Sequence, residues 1–162
     1  MPDKNSKAGA VSLLSIILFS LIGLQPVAAQ QALQPDQHGF VIGTPDKLVP
    51  ADGGRSINII GNPSEEGLYV IRITFPPGSG SRPHFHSTAR YITVIKGTWW
   101  VASGPDSDVY DPDSMQAVPA GTFIYQPPAG HHYDMAKDEE VTVQIMGMGP
   151  VVTTSIPQAG DQ

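Results

Sequence analysis

The chain has 162 residues, no cysteine and a formal net charge of −6, so it is long enough to bury a hydrophobic core without disulfide bonds. The lack of cysteine removes thiolate chemistry and sulfur metal ligands. Because the net charge is negative and the few basic residues form no cluster, the composition argues against a nucleic-acid partner.

The first 29 residues have the pattern of a secretory signal. Two lysines precede the uncharged stretch 8–24, and the small residues Val27 and Ala29 stand three places and one place before a cut after Ala29. The sequence therefore predicts an exported protein, periplasmic or secreted. The alternative is an uncleaved membrane anchor, because 17 uncharged residues approach the length of a bilayer span.

The rest of the chain favours an all-β fold. Its apolar residues come in short runs rich in valine, isoleucine, threonine and aromatics, separated by proline and glycine. The predicted strands are 40–42, 56–60, 68–75, 90–96, 98–101, 122–125 and 141–146. This spacing is typical of a barrel or a sandwich. We expect an arm over residues 30–50, one barrel domain over 51–156 and a flexible tail over 157–162.

Four of the five histidines lie in two close pairs, His84 with His86 and His131 with His132. Residues two apart on a strand project from the same face, so His84 and His86 can direct two imidazoles to one point. A third imidazole from another strand would complete a ligand set that suits zinc, iron, copper or nickel. By itself, a His-X-His pair also occurs on protein surfaces without a metal.

Two motifs around these histidines resemble the conserved motifs of the cupin superfamily. Seven positions have the cupin spacing, and they lie within 55 residues: Gly78, His84, His86, Gly97, Gly121, Pro127 and His132. The resemblance implies a double-stranded β-helix, which is a jelly-roll barrel. It also implies that His84, His86 and His132 ligate a divalent transition metal, which could be iron, manganese, zinc, nickel or copper.

The sequence departs from the cupin pattern at three positions. Arg90 stands at the usual glutamate ligand, Ala129 at a glycine and Ala136 at an asparagine. Some cupins bind metal through three histidines alone, and others have lost the metal. If His132 lies on a strand, Asp134 shares its face and could replace the missing carboxylate, either as a fourth ligand or by orienting an imidazole.

Arg90 is a candidate catalytic residue. A guanidinium cannot ligate a metal and is repelled by a divalent cation unless an anion lies between them. An inward-facing Arg90 would therefore hold a substrate carboxylate or a similar group beside the metal. The alternative is that Arg90 turns outward and pairs with a surface acid. Tyr91 is a second candidate for catalysis, and Tyr133 is another potential proton donor or ligand, although barrel tyrosines usually belong to the core.

Three neighbouring features have simpler interpretations. His131 points away from His132, so we interpret it as a surface or loop residue. The aspartates between Asp106 and Asp113 lack the glycine and the distal glutamate of an EF-hand loop, so we expect a solvated hairpin tip rather than a calcium site. Trp99 and Trp100 face opposite ways on a strand. Core packing is the default role of both, and the alternative is that one of them lines the cavity.

Two functions remain open at this point. The first is a metal-dependent enzyme that acts on a small, anionic molecule, most simply an oxidoreductase of the dioxygenase kind, although an isomerase or lyase needs the same parts. The second is a non-catalytic periplasmic module that binds a small molecule or a metal. The missing carboxylate at Arg90 and the missing glycine at Ala129 favour this second function. Cupins often pair as dimers, so a homodimer is compatible with either.

Overall fold

The structure, a computed structural model, describes residues 32–50 and 53–159. The predicted signal segment and the last three residues of the chain lie outside this part. No helix among the described residues is long and apolar enough to cross a membrane. Short 3-10 turns occur at Pro45–Lys47, Pro105–Asp108 and Pro112–Ser114.

The described residues form eleven β-strands. In chain order they are β1 (Ser56–Ile60), β2 (Gly67–Phe75), β3 (Ser79–Gly80), β4 (His84–His86), β5 (Arg90–Lys96), β6 (Thr98–Ser103), β7 (Gln116–Pro119), β8 (Phe123–Gln126), β9 (His132–Ala136), β10 (Val141–Gly149) and β11 (Thr153–Ser155).

The strands are arranged in two antiparallel sheets. The first sheet has the order β1-β2-β10-β5-β8, and the second has the order β11-β4-β9-β6-β7, with β3 also paired to β9. Apart from the consecutive pairs β1-β2 and β6-β7, neighbouring strands in each sheet are distant in sequence, so the chain crosses repeatedly between the sheets, as it does in a double-stranded β-helix. The predicted all-β fold class is confirmed.

The hydrophobic core lies between the two sheets. In β10 the buried residues Val141, Val143 and Ile145 alternate with residues that face outward, as the two-residue period of a strand requires. Trp99 of β6 is 2% exposed and stacks on Phe75 of β2 with 6.1 Å between ring centroids. Its apolar contacts therefore join the second sheet to the first.

Trp100 faces the other way, as predicted from its place in the strand. The ammonium of Lys137 lies 3.9 Å from the centroid of the Trp100 ring and also donates a hydrogen bond to the carbonyl of Pro112 at 2.7 Å. Trp100 is partly buried and does not belong to the core that surrounds Trp99. The expectation of core packing is thus confirmed for Trp99 and wrong for Trp100.

The strand prediction for residues 40–42 is wrong. The side chains of Phe40 and Ile42 are about two-thirds exposed, at 66% and 67%. The Asp36 carboxylate accepts hydrogen bonds from the backbone N–H groups of His38 and Phe40 at 2.8 and 2.9 Å. The Asp36 side chain thus stabilises a local turn. The two backbone N–H groups that it binds are not available for pairing with another β-strand.

The start of the predicted tail is attached to the barrel. The Gln158 side chain donates to the carbonyl of Asp108 at 2.9 Å and accepts from the backbone N–H of Tyr110 at 3.0 Å. These bonds connect the segment after β11 to the loop between β6 and β7.

Candidate metal centre

Two strands of the second sheet bring the three predicted ligands together. His84 and His86 hold alternate positions in β4, and His132 begins β9, where it pairs directly with His84. All three residues are buried, with exposures of 8%, 6% and 1%. Each offers a ring nitrogen that lies within 4.8 Å of the others. The structure therefore assembles the histidine cluster that the sequence predicts.

Backbone carbonyls fix the orientation of two of the rings. Nδ1 of His84 donates to the carbonyl of Arg82 at 2.7 Å, and Nδ1 of His132 donates to the carbonyl of Gly130 at 2.9 Å. A carbonyl oxygen can only accept, so the proton of each neutral ring must be on Nδ1. The Nε2 atom of each ring then carries a lone pair.

A side chain from another strand holds the third ring. Nδ1 of His86 lies 3.0 Å from the hydroxyl oxygen of Thr153 in β11. On the other side of the ring, Nε2 of His86 is 3.1 Å from Nε2 of His84. With the Nδ1 atoms engaged, the Nε2 atoms of the cluster are the ones available to a common ligand.

These residues fit a divalent transition metal. Nε2 of His132 is buried and has no hydrogen-bond partner among the described residues, and a buried polar atom without a partner costs free energy. A metal ion would satisfy it. Metal-binding histidines almost always use the second ring nitrogen to donate to a carbonyl, carboxylate or water, as His84 and His132 do here.

Arg90 points into the barrel. It begins β5, where its partly buried side chain alternates with the exposed Tyr91, and its Nε donates to Oε1 of Gln126 at 2.7 Å. Gln126 is the residue directly opposite on β8. No carboxylate among the described residues lies within 4.0 Å of the guanidinium. The side chain of Arg90 therefore faces inward. The alternative prediction, in which Arg90 turns outward and pairs with a surface acid, is wrong.

Comparison with solved structures identifies the fold of the chain. A cupin-2 domain from Rhodospirillum rubrum is 17% identical, with a TM-score of 0.51 over 65% of this chain and 66% of that chain. The chain has the cupin fold. A polyketide cyclase from Streptomyces resistomycificus is 16% identical, with a TM-score of 0.54 over 65% of this chain and 72% of its own.

The cupin fold alone does not identify the reaction. A DMSP lyase from Ruegeria pomeroyi is 14% identical, with a TM-score of 0.51 over 66% of this chain and 55% of its own, so the match spans about half of that enzyme. No protein-family model matches the chain, and no curated protein matches its sequence. Because one fold hosts many functions, the function has to be argued from the residues of the site.

Burial keeps two histidines of the cluster neutral. Desolvation lowers the pKa of His86 to about 3, and the positive charge of Arg90 adds to this effect. Desolvation likewise lowers the pKa of His132 to about 3, although its hydrogen bond to Gly130 opposes the shift. A metal binds the neutral imidazole, so neither ring has to lose a positive charge before it can bind at neutral pH.

The metal-free protein should lose about 2 to 4 kcal/mol of unfolding free energy between pH 7 and pH 5. In the unfolded chain His86 and His132 take up protons below a pKa of about 6.5, whereas in the folded chain they stay neutral until the pH approaches about 3. The unfolded state therefore binds more protons over this range, so the free energy of unfolding decreases as the pH is lowered. Urea denaturation of chelator-treated protein at several pH values measures this. If a variant with asparagine at both positions keeps the same pH dependence, the assignment to these residues is wrong.

Asp134 lies near the cluster but is not part of it. It is buried, at 4% exposure, and shares a face of β9 with His132. Burial raises the pKa of its carboxyl, while hydrogen bonding to Ser81 and the positive charge of Arg90 oppose the shift. The donor atoms that lie mutually within 4.8 Å belong to the three histidines and do not include Asp134. Asp134 is therefore not part of the ligand cluster in this structure. That Asp134 orients an imidazole stays a prediction.

The two candidate tyrosines do not face the site. Tyr91 is 41% exposed and packs on Tyr125 across the outer face of the first sheet, with 5.5 Å between ring centroids. Because it points opposite to Arg90, the structure does not support a catalytic role for Tyr91. Tyr133 is fully buried, and its hydroxyl donates to the carbonyl of Asp111 at 2.8 Å and accepts from the Asp111 N–H at 3.1 Å. It has the core role expected of a barrel tyrosine.

His131 and the aspartates belong to the loops. His131 precedes β9, stacks on Phe85 with 5.1 Å between ring centroids and pairs through Nδ1 with the Asp108 carboxylate. This placement confirms the loop interpretation. The aspartates between Asp106 and Asp113 lie in and around two 3-10 turns. Within the described ranges, the histidine cluster is the only group of potential ligands with metal-binding spacing.

Ala129 shows why the cupin pattern has a glycine at this position. Its φ of 55° lies in the left-handed region, and its N–H donates to the carbonyl of His86 at 2.8 Å. An L-residue with a Cβ atom is strained in this conformation, whereas glycine is not. Ala129 thus connects the loop before β9 to β4 at the cost of backbone strain.

Replacing Ala129 with glycine should raise the free energy of unfolding by about 1 kcal/mol, because relief of the left-handed strain exceeds the entropy that glycine adds to the unfolded chain. Urea denaturation measures the change. Ala120→Gly is the matched control, since Ala120 is exposed in a turn and has no positive φ; it should be neutral or destabilising. A loss of stability in Ala129→Gly would contradict the explanation.

A cavity of about 270 Å³ opens beside His132. Val101, Ile124 and Pro127 contribute apolar lining, and Gln126, the partner of Arg90, lines it too. Its volume is just below the usual range for ligand pockets. The cavity adjoins His132, whose Nε2 is itself buried, and Gln126, the residue that holds Arg90.

Proposed function

We propose that this cupin is a metal-dependent enzyme that acts on a small molecule with a carboxylate or a similar anionic group. The observation that carries the proposal is the buried histidine cluster, in which Nε2 of His132 has no partner among the described residues. His84, His86 and His132 would hold the metal. When bound, such an ion acts as a Lewis acid that stabilises negative charge developing on the substrate.

Arg90 would orient the substrate. Burial of a charge without an opposite charge in contact is costly, and burial does lower the pKa of the Arg90 guanidinium, while Asp134 partly compensates by raising it. Only Nε is bonded to Gln126, so the outer N–H groups can bind a carboxylate bidentately. An anion at this position would also reduce the repulsion between Arg90 and a metal held by the histidines.

Oxidation by oxygen is the reaction to test first, because three protein ligands leave room around the metal for further groups. The names of two proteins with this fold suggest the alternatives, since one is a polyketide cyclase and the other a DMSP lyase. A Lewis acid beside a positioned anionic substrate would also suit elimination, cyclisation or isomerisation. The pattern of residues 1–29 leads us to place the activity outside the cytoplasm.

The test combines metal analysis with a substrate screen. Protein purified with its native metal is assayed for metal content, and then for oxygen uptake and substrate loss with a panel of phenolic and aliphatic carboxylates. The methyl ester of each compound is the matched control, because it keeps the shape and removes the charge. Turnover of the acids with little turnover of the esters supports the proposal. Substrate loss without oxygen uptake would indicate a lyase or isomerase, and absence of metal would overturn the proposal.

A non-catalytic binding module is the second candidate. The specific observation in its favour is the inward-facing guanidinium of Arg90 at the place of the cupin carboxylate ligand. A cation there weakens metal binding unless an anion accompanies it. Metal that binds stoichiometrically, together with carboxylates that bind without being converted, would identify this function.

A further inference from the structure

His86 differs from the other two histidines in the partner of its Nδ1 atom. His84 and His132 donate to carbonyl oxygens two residues earlier in their own chain segments. His86 instead meets the hydroxyl of Thr153, a residue 67 positions later in the chain. A carbonyl oxygen can only accept a hydrogen bond, whereas a hydroxyl can either donate or accept. The tautomer of His86 is therefore not fixed by its partner.

The contact inside the cluster decides which tautomer His86 adopts without metal. Because Nδ1 of His84 donates to the carbonyl of Arg82, Nε2 of the neutral His84 ring carries a lone pair. Nε2 of His86 lies 3.1 Å away, so a hydrogen bond between these atoms requires the proton of His86 to be on Nε2. Nδ1 of His86 then has a lone pair, and the Thr153 hydroxyl must be the donor.

A bound metal would require the opposite arrangement. Ligation through Nε2 needs a lone pair on that atom, so the proton of the His86 ring would be on Nδ1 instead of Nε2, with no net change in protonation. The Thr153 hydroxyl would then accept from Nδ1–H after turning about its Cβ–Oγ1 bond. A donor on a metal-bound ring that lacks an acceptor weakens the site, typically 10- to 100-fold.

We propose that Thr153 is a positioning residue for the metal, because its hydroxyl can pair with both tautomers of His86. This inference rests on the proposed metal site. Thr153 pairs directly with His86 in the register between β11 and β4, so their side chains share a face of the sheet. The strand is held at both ends, by the N–H of Ser87 bonded to the carbonyl of Val152 and by the N–H of Ile156 bonded to the carbonyl of Pro83.

The test is zinc affinity of the full-length protein, measured by competition with a chromophoric chelator. Thr153→Val keeps the shape of the side chain and places a methyl group where the hydroxyl was, so the exposed residue 153 loses its hydrogen-bonding group with little change in volume. We expect about tenfold weaker zinc binding or more. Thr153→Ser should bind like the wild type, because the hydroxyl remains. Thr154→Val is the matched control, since Thr154 pairs with Phe85 and faces the other side of the strand.

Nitrogen NMR of the histidine rings gives a readout that a merely structural role would not move. In the metal-free wild type we expect the Nε2–H tautomer for His86 and the Nδ1–H tautomer for His84 and His132. Zinc should convert His86 to Nδ1–H and leave the other two unchanged. A His86 ring that has Nδ1–H in both states overturns the inference.

The failures can be told apart. If the wild type binds no zinc, both the proposed metal site and the role of Thr153 are overturned. If the wild type binds zinc and Thr153→Val binds it equally well, only the role of Thr153 is overturned, and the proposed function stands.

Discussion

Replacing any one of His84, His86 and His132 with alanine should lower the metal affinity at least about 100-fold. Loss of groups that only support a ligand already costs 10- to 100-fold, and these changes remove a ligand itself. The three residues are buried and directed at one point, so solvent replaces a missing imidazole poorly. Metal content after dialysis and zinc affinity by chelator competition measure the effect.

His131→Ala is the matched control, because it removes the neighbouring imidazole in the same loop and leaves the cluster intact. Its ring pairs with Asp108 and stacks on Phe85, away from the other three, so metal content should be nearly unchanged. Stabilisation by added metal provides a second measurement, because an ion that binds only the folded state raises the melting temperature. Equal metal content in the wild type and in a variant with alanine at both His84 and His86 would refute the metal site.

The sequence predicts those elements in which apolar alternation and burial coincide. The predicted bounds of β1 and β5 are those of the structure. The strands predicted at β2 and β10 are shorter than the strands in the structure. Sequence reasoning assigned no strand to β4 or β9, which present the ligands. Their buried faces carry histidine and aspartate in place of aliphatic residues, so hydropathy does not reveal them.

The supporting residues of the site could not be predicted because they come from distant strands. Gln126 meets Arg90 through the pairing of β8 with β5, and Thr153 meets His86 through the pairing of β11 with β4. Neither residue is one of the seven positions that carry the cupin spacing, and a local pattern contains no information on strand register. The motif spacing predicted the three histidines because both cupin motifs are local. The orientation of Arg90, by contrast, depended on a partner 36 residues away.

Replacing Arg90 with glutamate should tighten metal binding by about tenfold or more, because the change removes an inward-facing cation and restores the carboxylate that the cupin pattern has at this position. The same change should abolish binding of an anionic substrate, since a carboxylate in place of the guanidinium repels it. Zinc affinity by competition and carboxylate binding by calorimetry on metal-loaded protein measure the two effects, which have opposite signs.

Arg90→Gln separates the two causes of tighter binding. Glutamine removes the positive charge and supplies no anionic ligand, so its metal affinity should lie between those of the wild type and Arg90→Glu, while anion binding should be lost as in Arg90→Glu. Both variants lose the guanidinium N–H that donates to Gln126, and glutamine and glutamate have nearly the same shape, so their comparison isolates the effect of the negative charge together with the amide donor that only glutamine keeps. An outward-facing Arg90 in solution would leave metal affinity and anion binding unchanged in both variants. If Arg90→Glu binds metal less tightly than Arg90→Gln, the position does not supply a ligand.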